Sequence, residues 1–584
     1  MPQDSTPTAR DRLDPITFAV VKNAMDAIVD EVAYTVIRTA KSEIVKDVMD
    51  YSAAICDAKG EMVAQAKTIA QHLGAIPEAM GSVMARWAGR VAPGDAIILN
   101  DPYLGGMHLP DIFMFHPVFH GEEIMAWVVV ICHHTDVGGR VPGSNAADST
   151  EIFQEGLRIP PLKLFEGGRI NETLEAIIDI NVRVPDRVLG DLNAQFAACQ
   201  VGAREMGRMI ARYGADGFSF YLGALLDYAE RMTREEIRTW PDGTYRFTDH
   251  IDSDGLSDAP VVLQVAITVA GDQLAVDWTG SSPQVRAAIN STLSYTKSNT
   301  FLSVRCALKG DIPNNAGVFR AIAVTAPEGS VLNPRIPAAV AARALTGYRV
   351  MDTMFGALAQ IVPDILPAAG EGGNTVVCIA GRKPDRSPFI VVDMISGCWG
   401  GRPDQDGIDA ITNPSQNLSN APVEVMERTH PVRIESYALV QDSCGAGRWR
   451  GGMGLERSYR LLADEAVLQL RADRVVYAPY GLEGGGTGGR AGNWLGEGAD
   501  KHALPGKVTM EMQRGQLLTH HQAGGGGHGD PFQREPELVA RDVWNGKISV
   551  DFARSRHGVV VDAGTGMVDA AASTRLRQAL QAQR

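Results

Sequence analysis

Long hydrophobic runs are missing from this 584-residue chain. The longest, IMAWVVVIC at 124–132, is far short of the roughly 20 apolar residues that a membrane-spanning helix requires. The opening stretch MPQDSTPTARDRLDP lacks the apolar centre of a secretion signal. No CxxC pair occurs. The seven cysteines, at 56, 132, 199, 306, 378, 398 and 444, are scattered, which speaks against a disulfide framework or a zinc–thiolate knuckle. They read as buried reduced thiols, and a soluble cytoplasmic protein with no membrane role is expected. No cluster of five or more Lys/Arg appears and the formal charge is −14, so a nucleic-acid partner is not expected. A GxxxxGK[ST] phosphate cradle is also missing, since GKVT at 506 and GKIS at 546 lack the upstream glycine and the adjacent hydroxyl.

What is present is an ordinary folded composition, 45% hydrophobic and 21% charged, in a chain long enough for three or four lobes. The 62 glycines and 31 prolines imply many turns. Phe18, Val21, Met25, Ile28, Val32 and Val36 fall three or four apart behind Asp14 and Pro15, which predicts an amphipathic helix over 14–40 with a capped start. A hairpin is expected around Ala58-Lys59-Gly60, a helix at IPEAMGSVMARWAG, a buried strand at DAIILNDP, and strands at 112–119 and 123–134. A long helix is expected over 186–213 and a second helical piece over 216–240, followed by strands to Gly280 and helices at LSYTKSNTFLSVRCAL and YRVMDTMFGALAQIV. These patterns give an α+β, multi-lobed chain: mixed sheets and long helices in the N-terminal half, and a β-rich C-terminal third. Its divisions fall at 1–215 (α+β), 216–365 (mixed) and 366–584 (β-rich and glycine-rich), with disorder expected only at the two chain ends.

The chemistry concentrates in NDPYLGGMHLPDIFMFHPVF, residues 100–119. His108 and Asp111 stand three apart across Leu109-Pro110, and His133 or His134 ends a strand long enough to return to them. Two imidazoles and one carboxylate on a divalent ion leave coordination positions open, which suits Zn, Mn or Fe(II). Neighbouring strand residues face opposite ways, so one of His133 and His134 is the ligand and the other supports it or enters the core. Against this stands a plainer reading, in which Asp101 caps a turn and His116 and His120 lie on the surface.

Other features carry less. GGGTGG at 484–489 and GGGGHGD at 524–530 read as tight turns between strands before they read as anion-binding nests. Cys444 has no histidine nearby in sequence to activate it. His528 and His557 read as structural. Asp191, near the apolar side of the long helix, is either a helix-to-loop anchor or a lining residue of the same cleft.

The segments VMDYSAAICD, NDPYLGGMHLPD, HHTDVGG, EGLRIPPLKL, RVLGDLNAQ, DIPNNAGVFR, NPRIPAAVAAR, NAPVEVMERTHPVRIESYALVQDSCGAGRWRGGMG and ISVDFARSRHGVVVD run nearly end to end. Through them the chain resembles the hydantoinase B/oxoprolinase family: the beta subunits of ATP-dependent N-methylhydantoinases and lactamases, the second half of 5-oxoprolinase, and more distantly a subunit of acetone and acetophenone carboxylases. The resemblance implies a division of labour. ATP is bound by a partner of the hydantoinase A type, which phosphorylates the carbonyl oxygen of a small cyclic amide or ureide. This chain, one component of an ATP-dependent cyclic amidase, then receives the activated species. The resemblance also implies that His108, Asp111 and His133 hold a divalent metal, Zn or Mn, which acidifies bound water. Asp47 or Asp101 is expected to take up the proton, and His134 to orient a ligand. The alternatives are a carboxylase-type component and a non-catalytic scaffold for the A subunit.

Overall fold

The computed structural model describes residues 13–395 and 397–582. The expectation for the chain ends falls largely outside these residues. Asp14 accepts hydrogen bonds from Ile16 N and Thr17 N and Pro15 is the first helical residue, so the opening helix Pro15–Thr39 starts where its sequence signal lies.

Behind that helix stands a seven-stranded sheet built from β1 (Tyr51–Asp57), β2 (Met62–Gln65), β3 (Ala96–Leu99), β4 (Asp111–His120), β5 (Glu123–His133), β6 (Leu162–Glu166) and β7 (Arg169–Ile170). Its order is β2-β1-β5-β4-β3-β6-β7. The inner strands β3, β4 and β5 are buried along nearly their whole length, which explains why they read as apolar runs without alternation. The long helix Pro185–Ile237 lies across β4 and β5 and against the opening helix. At Gly202 a Cβ would stand 2.7 Å from Val32 and 3.0 Å from Val128, so only glycine lets these three elements approach so closely. The helix breaks at Gly214 (φ 72°), at the join between the two helical pieces expected from sequence.

A second sheet, ordered β11-β10-β9-β8, comprises β8 (Gly243–Ile251), β9 (Val261–Ala270), β10 (Gln273–Asp277) and β11 (Ile322–Thr325). Helix Arg343–Leu358 packs on it and on helix Leu293–Ala307. The C-terminal third contributes two more sheets. One is β13-β12-β16-β19, from β12 (Thr375–Arg382), β13 (Pro388–Ile395), β16 (Glu465–Arg471) and β19 (Lys507–Gln513). The other is β14-β15-β20-β17-β18, from β14 (Val432–Leu439), β15 (Leu455–Leu461), β17 (Gly492–Leu495), β18 (His502–Ala503) and β20 (Leu517–His521). The fold is therefore α+β with several sheets, long helices and a β-rich C-terminal region. One apolar core joins the first sheet to the C-terminal sheets, containing Val32, Ile55, Val130, Leu192, Val377 and Leu468 together. A second core, around Val265, Trp278 and Met354, belongs to the middle segment.

The glycine runs differ from the expected tight turns. Segments 399–401, 445–454, 481–489 and 524–528 run beside one another and exchange backbone hydrogen bonds: Gly445 N to Gly525 O, Gly525 N to Gly452 O, Gly401 N to Gly526 O and Gly527 N to Gly486 O, at 2.7–2.9 Å. A Cβ at Gly524 would lie 1.9 Å from Ser443 O. The glycines are there because four backbones touch.

Candidate metal centre

The register of the first sheet builds the centre. Asp111 and His133 are direct partners across β4 and β5, and cross-strand partners point to the same face. His108 joins them because the chain turns between it and Asp111, with Asp111 N donating to His108 O at 3.1 Å. Asn100, at the end of β3, pins this turn by donating to Leu109 O and Leu157 O. One ligand-type atom from each of His108, Asp111 and His133 lies within 4.8 Å of the others, and all three residues are buried.

Their polar atoms are arranged as an ion would need them. His108 Nε2, Asp111 Oδ1 and His133 Nδ1 are buried and have no hydrogen-bond partner among the described residues. His108 Nε2 and Asp111 Oδ1 stand 3.3 Å apart. A buried donor or acceptor without a partner is costly, and three in one place call for a common explanation. His108 Nδ1 lies 3.0 Å from the carbonyl oxygen of Ala341. An imidazole donating there keeps its lone pair on Nε2, the tautomer a metal takes. Burial pushes His108 down to about 4 and His133 well below the ordinary histidine range. Burial opposes ionisation of Asp111, yet His108 and the Arg343 guanidinium hold its carboxyl well below its usual range. Two neutral imidazoles and a carboxylate are the protonation states that ligation requires, so the donor set fits a divalent ion.

Around the three lies a shell that sequence reasoning did not find. Arg343 Nη2 holds the other oxygen of Asp111 at 2.5 Å and sits over the ring of Tyr295, 4.5 Å from its centroid. Asp50, buried just ahead of β1, stands 3.7 Å from His72 Nε2. Burial first, and then the charge of Asp111, pushes its carboxyl up to about 8. Glu155 accepts from Val340 N and Ala341 N, so it secures Ala341, the residue whose carbonyl faces His108. Asp50 lies inside the recognisable VMDYSAAICD segment. Arg343 is 232 residues from Asp111 in sequence and Glu155 is 186 from Ala341, separations beyond any local pattern.

The other expected site residues go elsewhere. His134 places Nε2 3.1 Å from Gln195 Oε1 on the long helix, in a contact with no member of the metal group. Asp101 accepts from Tyr103 N and, at 2.7 Å, from Arg158 Nε. Both of its oxygens hold the loop, as in the turn-capping reading. Asp47 is the half-buried C-cap of the short helix Glu43–Lys46, three residues from the carboxylate that does face the centre. Asp191 is a helix-to-loop anchor, accepting from Lys41 N and Ser42 N. His116 is buried, with Nδ1 2.8 Å from Asp95 O, whereas His120 is exposed. Burial pushes the Cys444 thiol up to about 12, and His528 exchanges backbone bonds with Trp449 inside the glycine bundle.

A family model described as hydantoinase B/oxoprolinase matches residues 14–531. The B subunit of a putative D-/L-hydantoinase from Pseudomonas sp. (strain NS671) is 33% identical over 569 residues, covering 94% of this chain and 96% of the relative. The beta subunit of the caprolactamase from Pseudomonas jessenii is 32% identical over 582 residues, covering 97% and 99%. The crystal structure of the ATP-dependent caprolactamase from that organism superposes with a TM-score of 0.91 at 31% identity, over 97% of this chain and 100% of the other. A nucleotide-free acetone carboxylase structure also reaches 0.91, at 19% identity over 98% and 84%, which is a likeness of fold. Among the described residues no helix is long and apolar enough to cross a membrane. By the matched model and its relatives, the chain belongs to the hydantoinase B/oxoprolinase family.

Proposed function

We propose that this chain is the B-type component of an ATP-dependent hydrolase that opens cyclic amides or ureides of the hydantoin or lactam class. In this reading ATP is held by a separate A-type subunit, which activates the ring carbonyl by phosphorylation. The observation that carries the reading is the trio of buried, unpartnered donor atoms on His108, Asp111 and His133. They occur in a chain related end to end to one component of a hydantoinase and one of a caprolactamase. A lactam or ureide resists water because resonance blunts its carbonyl. An activated carbonyl oxygen removes that protection and leaves water addition and C–N cleavage to be helped.

His108, Asp111 and His133 would hold the divalent ion, Zn or Mn, which when bound lowers the pKa of water. Arg343 keeps Asp111 ionised and fixed. The Ala341 carbonyl fixes the His108 tautomer. Water addition releases a proton, the departing ring nitrogen takes one up, and the phosphoryl group leaves as inorganic phosphate. Asp50, pushed up to about 8, is matched to exchange protons near neutral pH. We assign it that role in place of Asp47, which caps a helix, and Asp101, which holds the loop. A carboxylase-type activity has only the likeness of fold behind it.

The test is ATP-dependent ring opening by this chain purified with an A-type partner, with hydantoin and lactam substrates, beside a His108→Ala variant. Ring opening by the wild-type complex and a loss of about 10³-fold or more in an intact variant complex is the expected result. Equal activity of the variant leaves a scaffold. Bicarbonate incorporation into a ketone without ring opening leaves a carboxylase.

A further inference from the structure

Among the described residues, the buried arginines are paired with carboxylates, with one exception. Arg343, Arg349, Arg450, Arg457, Arg474 and Arg534 each have a carboxylate oxygen within 3.0 Å. Arg471, 5% exposed, forms no salt bridge among the described residues. Its partners are neutral: Nη1 donates to Asn145 Oδ1 at 3.1 Å and Ala341 O at 3.3 Å, and Nη2 donates to Asn374 Oδ1 at 3.2 Å. Nε is buried with no partner. A guanidinium carries five N–H groups. With three engaged, those left are one on Nε and one on Nη2, the adjacent pair that grips two oxygens of one oxyanion.

Its place is as telling as its charge. Arg471 is the last residue of β16, an inner strand, and strand ends present side chains to clefts. The Ala341 carbonyl that it meets is the one facing His108 Nδ1, so the guanidinium lies one carbonyl away from the metal centre. A buried charge without a counter-ion is expensive, and neutral acceptors orient it without neutralising it. Burial, with Arg343 as a second positive neighbour, pushes Arg471 down to about 10, so it stays charged at neutral pH; the Asp50 carboxyl is near enough to act on it but forms no salt bridge with it.

We propose that Arg471 is the oxyanion-binding residue of this site and that its ligand is the phosphoryl group of the activated ring substrate. This rests on the function proposed above for the identity of the anion, and on the unpaired guanidinium for the existence of the site. Asn145 and Asn374 set the plane of the fork, and Arg343, committed to Asp111, is left to the metal ligand. A substrate lacking the phosphoryl group forfeits this contact, which orders the two half-reactions.

The probe is inorganic phosphate, titrated into the purified chain by calorimetry at ionic strength matched with sodium chloride. It is run with and without prior chelator treatment, so that contact between phosphate and a metal cannot produce the signal. Saturable binding, one phosphate per chain, is expected in both preparations, with affinity lowered about tenfold or more in Arg471→Gln, the scale of a charge-assisted contact. Asn145→Ala removes one of the two acceptors that set the fork and is expected to weaken phosphate binding about threefold or more; where Arg471→Gln does not fold, unchanged affinity in a folded Asn145→Ala overturns the proposal. No saturable binding to the wild type, or equal affinity in a folded Arg471→Gln, overturns the proposal. Phosphate binding that depends on Arg471, in a complex that opens no ring, removes the proposed function and leaves the oxyanion site standing.

Discussion

Removing the Glu155 side chain should weaken metal binding without touching a ligand. Glu155 Oε1 accepts from Val340 N at 2.7 Å and Ala341 N at 2.8 Å, and the Ala341 carbonyl faces His108 Nδ1 at 3.0 Å. In Glu155→Ala two buried amides lose their acceptor, about 1 kcal/mol each for ordinary hydrogen bonds and more if they stay unpaired. Ala341 is then free to shift with the peptides on either side of it, and His108 loses the contact that sets its tautomer. Outer partners of this kind change metal affinity by about 10- to 100-fold, which is the expected loss for Glu155→Ala. Burial pushes Glu155 up to about 8, so near neutral pH its carboxyl is largely protonated. Glu155→Gln, neutral and of the same shape, should therefore keep affinity within about threefold, less than half of one charged hydrogen bond. The assay is competition with a chromophoric chelator for Zn or Mn on the isolated chain. Equal affinity in wild type and Glu155→Ala, with both folded, would refute the link from Glu155 through Ala341 to His108.

Elemental mass spectrometry should find near-stoichiometric metal in the wild type, none in His108→Ala or Asp111→Ala, and retained metal in His134→Ala, whose ring contacts Gln195 instead. Arg343→Met strips Asp111 of its buried partner and should destabilise the chain by about 3–5 kcal/mol, read as a fall in apparent Tm against Arg320→Met at an exposed pair. His520 and His557 are pushed by burial down to about 3 and about 4. A base with a depressed folded pKa leaves the unfolded chain holding more protons below its ordinary value. Stability is thus full above about pH 6.5 and declines as pH falls toward 4, by up to about 1.4 kcal/mol per pH unit per histidine. His520→Gln should flatten that acid slope in calorimetric scans, and an unchanged slope would count against the assignment. Gly81, exposed in helix Ile76–Trp87 with nothing near a Cβ, should gain about 0.5–1 kcal/mol as Gly81→Ala, while Gly524→Ala, 1.9 Å from Ser443 O, should not yield folded protein.

The legible parts of this molecule are the local ones. Asp14 with Pro15 marks a helix start because capping acts over three residues, and the buried strands show as apolar runs because both faces are covered. His108 and Asp111 share one turn, and the end of β5 brings back His133 because the sheet register pairs it with Asp111. Asp47 and Asp50 stand three residues apart, and nothing in that short stretch tells which carboxylate the chain will bury. Arg343, Arg471 and Glu155 are assembled only by tertiary contacts, and an arginine that lacks a carboxylate partner looks in sequence like any other.

The glycine bundle bears on how the chain reaches its native state. Four segments drawn from 399 to 528 lie side by side, and glycines carry no side chains by which one segment tells another apart. Ordering each of them surrenders more backbone freedom than ordering any other residue, and their pairings close long loops. Alignment must then be imposed by the bulky residues within or beside them, Trp399, Trp449, Tyr480 and His528, and by the sheets on either side. On these grounds the bundle is expected to close after the flanking sheets have formed, and its closure to commit the C-terminal third to one arrangement.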